Sequence, residues 1–187
     1  MPVIFHHHAE QIRQVFQQVK QEFGKIDILI NNAATLDNVA QIQNMSYELW
    51  DRDIKVNLTG AFNCTKEVWP YMQEQKWGRV IFMASVAGTM GGFGQASYSA
   101  SKAAVVGLAK TCALEGGRYN ITANAIVPGI IGTEAFKMGN PEMNERIGKA
   151  MMAGPAQWTS VKRLRRDPHD PDASCWLHGR SCCFSTV

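Results

Sequence analysis

The stretch Gly78-Arg79-Val80-Ile81-Phe82-Met83-Ala84-Ser85 joins a turn residue to a short apolar run and ends on two small residues. A run of this length without polar alternation suits a strand of a parallel sheet, where helices cover both faces. Two similar runs flank it in the chain. Asp27-Ile28-Leu29-Ile30 lies upstream, and residues 121–127 lie downstream and stop at Pro128-Gly129. Helical patterns fill the intervals. Residues 9–23 place Ile12, Val15, Phe16, Val19 and Phe23 on one face, and Gly24 supplies a residue that tolerates a left-handed cap. Residues 46–73 form a second helical stretch, with Pro70 expected to bend it near its end. A third, rich in small residues, covers 96–115.

Helix and strand thus alternate three times, which predicts an α/β fold with a parallel sheet. In such sheets ligands sit beyond the carboxyl ends of the strands. Those ends are Asn31-Asn32-Ala33-Ala34, Ala84-Ser85 and Pro128-Gly129, all small, polar or turn-forming. The chemistry is expected there.

The bulk properties narrow the field. At 187 residues, 45% hydrophobic and 19% charged, the chain has the composition of one soluble globular domain. A net charge of +3, with no basic groove interleaved with aromatics, argues against nucleic acid. No run reaches the roughly 18 to 20 apolar residues of a membrane span. The N-terminus, Met1-Pro2-Val3-Ile4-Phe5 followed by His6-His7-His8, is not a signal peptide. The expectation is a soluble, cytoplasmic protein. Cys175, Cys182 and Cys183 crowd the C-terminal end, and five cysteines so arranged are no disulfide framework.

Tyr98 and Lys102 are four residues apart on a predicted helix, and so share a face. A free phenol has a pKa of about 10, too high for ready proton exchange near neutrality. An ammonium at about 4 Å, in an effective dielectric of about 20, favours the phenolate by about 4 kcal/mol, or about three pKa units. That would bring the tyrosine into the range of general acid–base work. Ser85, at the end of a predicted strand, is placed to hydrogen-bond a carbonyl oxygen that gains negative charge.

These residues sit in recognisable company. Residues 79–88, then Gly94-Gln95-Ala96-Ser97-Tyr98-Ser99-Ala100-Ser101-Lys102-Ala103-Ala104, resemble the short-chain dehydrogenase/reductase family. Asn31-Asn32-Ala33-Ala34 is similar to its Asn-Asn-Ala-Gly signature. Lys55-Val56-Asn57-Leu58-Thr59-Gly60 is similar to the segment with the family's catalytic asparagine. Asn124-Ala125-Ile126-Val127-Pro128-Gly129, with Thr133 beyond, is similar to its Pro-Gly turn. The resemblance covers about residues 9–157.

The resemblance implies a Rossmann-like, doubly wound parallel sheet and hydride transfer between NAD or NADP and a secondary alcohol or ketone. A 3-oxoacyl thioester and a cyclic alcohol both fit as substrate. It implies Tyr98 as proton donor and acceptor, Lys102 as its pKa modulator and ribose ligand, Ser85 as positioner of the substrate oxygen, and Asn57 as support for a water-linked relay to Lys102. Asn31, Ala33, Ala34, Pro128, Gly129, Ile131 and Thr133 would join Tyr98 and Lys102 in holding the cofactor, with a sheet-bracing role for Asn31 and Asn32 equally open. The family's subunit contacts imply a homodimer or homotetramer through the 46–73 and 96–115 helices, where Ala100, Ala103, Ala104 and Gly107 permit close packing.

The family's opening strand, its glycine-rich turn and the residue that separates NAD from NADP have no counterpart in the sequence, so the sheet is expected to be incomplete at both ends. Residues 1–157 then form a partial catalytic domain. Residues 158–187, with no period and a burst of Arg, Pro, His and Cys, form an irregular tail that a shifted reading frame would explain. His169, Cys175, His178, Cys182 and Cys183 lack the paired Cys-x-x-Cys spacing of a zinc knuckle, and no metal is expected. Met138, Met143, Met151 and Met152 suit an adaptable cover over the substrate. The alternative to an enzyme is an inactive fragment that serves only for self-association.

Overall fold

A computed structural model describes residues 9–36 and 39–129, with the backbone of Phe184–Thr186. Helix α1 (Ala9–Phe23) leads into β1 (Ile28–Asn31). Then come α2 (Tyr47–Ile54), a π-helical turn (Lys55–Thr59) and α3 (Gly60–Glu74). After β2 (Gly78–Met83) follow the short α4 (Val86–Met90), the long α5 (Ala96–Gly116) and β3 (Ile121–Ile126). Strands β1, β2 and β3 pair in parallel in that order.

The local reasons are those expected from composition. Ser46 caps α2 by accepting a hydrogen bond from the Leu49 amide at 3.2 Å. Gly24 closes α1 with φ +77°, its amide bonded to the Lys20 carbonyl at 2.9 Å. The 46–73 stretch is helical throughout, as expected, with Pro70 inside α3 and its one irregularity at the π turn.

The sheet has two unlike faces. Leu29, Val80 and Ala123 form one cross-strand row, and Asn31, Phe82 and Ala125 the next. Helices α3 and α5 pack on these rows, and Val80, Phe82, Ala123 and Ala125 have no exposed surface. Helix α1 joins the layer through α3, where the Arg13 guanidinium grips the Glu67 carboxylate with two bonds of 3.0 and 3.2 Å. The opposite face carries Ile28, Ile30, Ile81, Met83 and Ile126. Among the described residues it is uncovered, with Ile28 and Ile30 at 55% and 58% exposure. Among the described residues, the expected cover on both faces of β1 is found on one face only. Both described crossovers, β1 to β2 and β2 to β3, step in the same direction along the sheet, which puts α3 and α5 on one side.

The tail also departs from expectation. Its C-terminal residues contain a strand, β4 (Phe184–Thr186), paired antiparallel with β3 from Ile126↔Phe184 to Asn124↔Thr186. Three extended residues suffice to occupy an open edge, and three residues are too few to show a period in the sequence. Ile131, Thr133, the methionine-rich stretch and the rest of the tail lie outside the described residues.

The one-sided layer sets unequal costs for two similar substitutions. Phe82→Ala is expected to cost about 3–5 kcal/mol by opening a cavity, whereas Ile30→Ala should cost under about 0.5 kcal/mol. Urea unfolding of the two variants checks this, and equal losses would mean that the second face is covered as well.

Candidate active site

Three loops meet at the carboxyl ends of the strands, and the sequence explains each. At the end of β2, Ser85 leaves the sheet in an extended conformation and caps α4 by accepting from the Ala87 amide at 3.2 Å. The Val86 amide donates to the Pro128 carbonyl at 3.0 Å, and the Ala84 amide to Ile126 at 2.8 Å. The Pro-Gly turn after β3 is thereby stitched to the serine. The loop after β1 reaches across as well. The Ala40 amide donates to the Gly94 carbonyl at 2.9 Å. Gly94 has φ +69°, and a Cβ there would fall 2.7 Å from the Val39 side chain. Gly88 plays the corresponding part for α4, since a Cβ on it would lie 2.6 Å from the Lys102 carbonyl carbon. Both glycines permit backbone contact beside Tyr98 and Lys102.

The structure brings Ser85, Tyr98 and Lys102 together. The Ser85 hydroxyl is near enough to the Tyr98 phenol to lower its pKa, and the Lys102 ammonium lies 5.6 Å from the centre of the Tyr98 ring. Lys102 is 3% exposed and donates to the Met83 carbonyl at 2.6 Å. Burial pushes its pKa down to about 8, because a desolvated ammonium is costly. Burial likewise raises the Tyr98 phenol above its ordinary value, and the nearby Ser85 hydroxyl only partly offsets this. The sequence-based expectation of a lowered phenol is thus corrected. The ammonium is bonded to a backbone carbonyl and sits over the ring, so desolvation is the larger effect.

Asn57 lies in the π turn and is buried. Its Oδ1 accepts from the Thr35 amide at 2.7 Å, and its Nδ2 donates to the Thr35 carbonyl and to Ser101 Oγ, both at 3.2 Å. Asn31 faces the helix layer, where its Nδ2 donates to Thr65 Oγ1 on α3 at 3.0 Å. That is the sheet-bracing alternative. Asn32, Ala33 and Ala34 are exposed at the strand end, and Gly129 is exposed beside Val86.

Asp53 is the residue that sequence reasoning missed. It is 1% exposed, yet accepts from Ser97 Oγ at 2.6 Å, Thr35 Oγ1 at 2.8 Å and Arg52 Nη2 at 2.9 Å. Burial opposes its ionisation, but these hydrogen bonds outweigh it and hold the carboxyl below its ordinary pKa. Its spacing of four from Asn57 was visible in the sequence. Its burial was not.

Residues 6–144 match the family model of the short chain dehydrogenases. The chain belongs to the short-chain dehydrogenase family. It is 45% identical over 124 residues to a 3-oxoacyl-[acyl-carrier-protein] reductase of Thermotoga maritima, covering 66% of this chain and 50% of that protein. With a peroxisomal hydratase-dehydrogenase-epimerase of Neurospora crassa the identity is 47% over 115 residues, 62% of this chain and 13% of the larger protein. The crystal structure of an NAD+-bound xylitol dehydrogenase superposes with a TM-score of 0.68 at 34% identity, covering 84% of this chain and 58% of that one. The chain therefore spans about half the length of the bacterial reductase it matches, and a smaller part of the peroxisomal protein. Its Rossmann-like sheet is that of the family, in incomplete form.

The residues at the strand ends suit the polar NAD(P) molecule that the family uses. Ala33 and Ala34 leave room beside the end of β1, and the phenol, hydroxyl and ammonium supply the hydrogen-bonding groups.

Lys102 has a consequence for stability. Its folded pKa of about 8 lies below its ordinary 10.5, so the unfolded chain binds more protons between those values. Stability should accordingly rise with pH above about 8, and the cost is present in full at lower pH. Cys64 and Cys112, each pushed up by burial from 9.0 to about 11, act with the opposite sign above pH 9, since the unfolded thiols ionise first. Lys102→Met is expected to abolish the rise between about pH 8 and 9. It should also relieve up to about 3 kcal/mol at neutrality, less the lost bond to Met83. Denaturant titrations across that range check this, and an unchanged rise in the variant would rule out Lys102 as its source.

Proposed function

We propose that this chain carries the catalytic half of an NAD(P)-dependent oxidoreductase that interconverts a ketone and a secondary alcohol, with 3-oxoacyl thioesters as the favoured substrate class. The observation that carries this reading is the gathering of Ser85, Tyr98 and the buried Lys102 at the carboxyl end of β2, with the Lys102 ammonium 5.6 Å from the Tyr98 ring centre. The substrate class is supported by the names of the relatives. These include several 3-oxoacyl-[acyl-carrier-protein] reductases and an acetoacetyl-CoA reductase of Shinella zoogloeoides, 43% identical over 132 residues.

A reduced nicotinamide, when bound, would supply the hydride. Ser85 then orients the carbonyl oxygen, and Tyr98 donates the proton that this oxygen gains. A phenol held protonated by burial is the form a donor needs. Lys102 holds the ribose and places a positive charge near the phenol as it gives up its proton. Ala33, Ala34, Pro128, Gly129, Ile131 and Thr133 are assigned to the cofactor surface, with Asn31 bracing β1 on α3. Asn57 supports the proton relay by fixing the loop after β1 and the Ser101 hydroxyl.

Acetoacetyl-CoA, with NADH and NADPH in turn, tests the proposal by loss of reduced-nicotinamide absorbance. Tyr98→Phe is expected to lower turnover by about 10²–10⁴-fold. A folded 187-residue chain that turns over with neither cofactor would refute the catalytic reading for this chain.

A second reading, self-association, has its own support. Ala100, Ala103 and Gly107 are exposed along α5, and Leu114 beyond them is 68% exposed. A Cβ on Gly107 would meet nothing within 4 Å, so the protomer tolerates a larger side chain there. Gly107→Gln is therefore expected to leave folding nearly intact and to dissociate a homodimer or homotetramer built on this face. Sedimentation velocity of both forms decides this, and a wild-type chain that sediments as a monomer would refute it.

A further inference from the structure

Asp53 has no part in the chemistry described so far, yet its carboxylate is buried and fully engaged. A buried carboxylate is costly unless several donors serve it. Here Oδ2 accepts from Ser97, while Oδ1 accepts from Thr35 and Arg52. The donors come from separate places in the chain: the first turn of α5, the loop after β1, and α2 itself. Ser97 immediately precedes Tyr98. Thr35 grips Asn57 through its amide and carbonyl. Asn57 in turn donates to Ser101, whose hydroxyl donates to the Tyr98 carbonyl at 2.8 Å.

The bonds close a ring: Asp53 to Ser97 and Tyr98, then Ser101, Asn57, Thr35 and back to Asp53. The π turn makes the ring possible. It puts one extra residue into the helical register, with the Gly60 amide bonded to the Lys55 carbonyl, just where Asn57 projects. Such insertions re-aim side chains without ending a helix. The first turn of α5 has no side-chain cap from Gln95. Ser97 to Asp53 is then the bond that ties the Tyr98 turn to α2.

We infer that Asp53 is a positioning residue: through Ser97 and Thr35 it holds Tyr98 against Ser85 and keeps Asn57 in the same frame. The inference gives Tyr98 the role proposed above, but its test does not depend on turnover. A buried polar group kept only for folding would stabilise the chain without any particular effect on Tyr98.

The test is the ring resonance of Tyr98 in the full chain labelled with 13C-tyrosine, assigned by its loss in Tyr98→Phe. Ser85→Ala calibrates the shift that follows loss of the Ser85 hydroxyl from beside the Tyr98 phenol. Asp53→Asn and Ser97→Ala are expected to move the Tyr98 signal most of the way toward its Ser85→Ala position, or to broaden it. Thr65→Val serves as the control. It removes a buried hydroxyl that braces β1 on α3, remote from the ring of bonds, and should destabilise the chain while leaving the Tyr98 signal in place. Should Asp53→Asn fail to fold, Ser97→Ala carries the test alone, since it cuts the same bond and leaves the carboxylate its other donors. An unmoved Tyr98 signal in folded Ser97→Ala, or an equal shift in Thr65→Val, would overturn the inference. Absence of turnover would leave it standing and count only against the catalytic proposal.

Discussion

Phe82 and Val80, wholly buried in the central strand, are the contacts on which the other elements depend. They lie where the helix layer meets the middle of the sheet, flanked by Leu29 and Asn31 on one side and by Ala123 and Ala125 on the other. Alanines in β3 let the long helix α5 come close, while the larger side chains of β2 fill the space beneath α3 and α5. Apolar area removed from water on this single face is the main favourable contribution. It also fixes height and rotation for α5, which carries Tyr98 and Lys102, and for α3, which continues back through the π turn of Asn57 into α2 and Asp53.

The polar residues at the strand ends work against that packing. Lys102 and Asp53 are ionisable groups with almost no exposed surface, and each needs specific partners. Lys102 has the Met83 carbonyl and remains reluctant to hold its charge, whereas Asp53 has enough donors to favour its charged form. The difference follows from the partners. One backbone carbonyl does not replace the hydration of an ammonium, but two hydroxyls and a guanidinium can replace that of a carboxylate. A site built this way trades stability for fixed orientation. Gly88 and Gly94 serve the same end by admitting backbone contacts that any side chain would block.

Much of the architecture was legible before any coordinates. The three apolar runs became β1, β2 and β3. The 9–23 pattern matches α1, and the small-residue helix matches α5 to within a residue. The motifs were enough to place Ser85, Tyr98 and Lys102 at one end of the sheet. What escaped were features without a periodic signature. The π turn leaves the helical apolar spacing nearly unchanged, and β4 is too short to alternate. The face of β1 that the described residues leave uncovered escaped for a different reason. Ile28 and Ile30 would read as buried in any apolar run, and only the placement of the helices shows which face receives cover.

The sequence by itself determined the order of elements, the parallel sheet and the family, because periodicity and short-range spacing are local properties of a chain. Tertiary structure alone decided the ionisation of the site. Whether Lys102 lowers the phenol or is itself lowered depends on a distance and on burial, neither of which spacing encodes. It also decided that Asp53, four residues before Asn57 and 44 before Ser97, joins both to Tyr98. Contacts between elements distant in sequence are set by how those elements pack, and the chain acquires them only on folding.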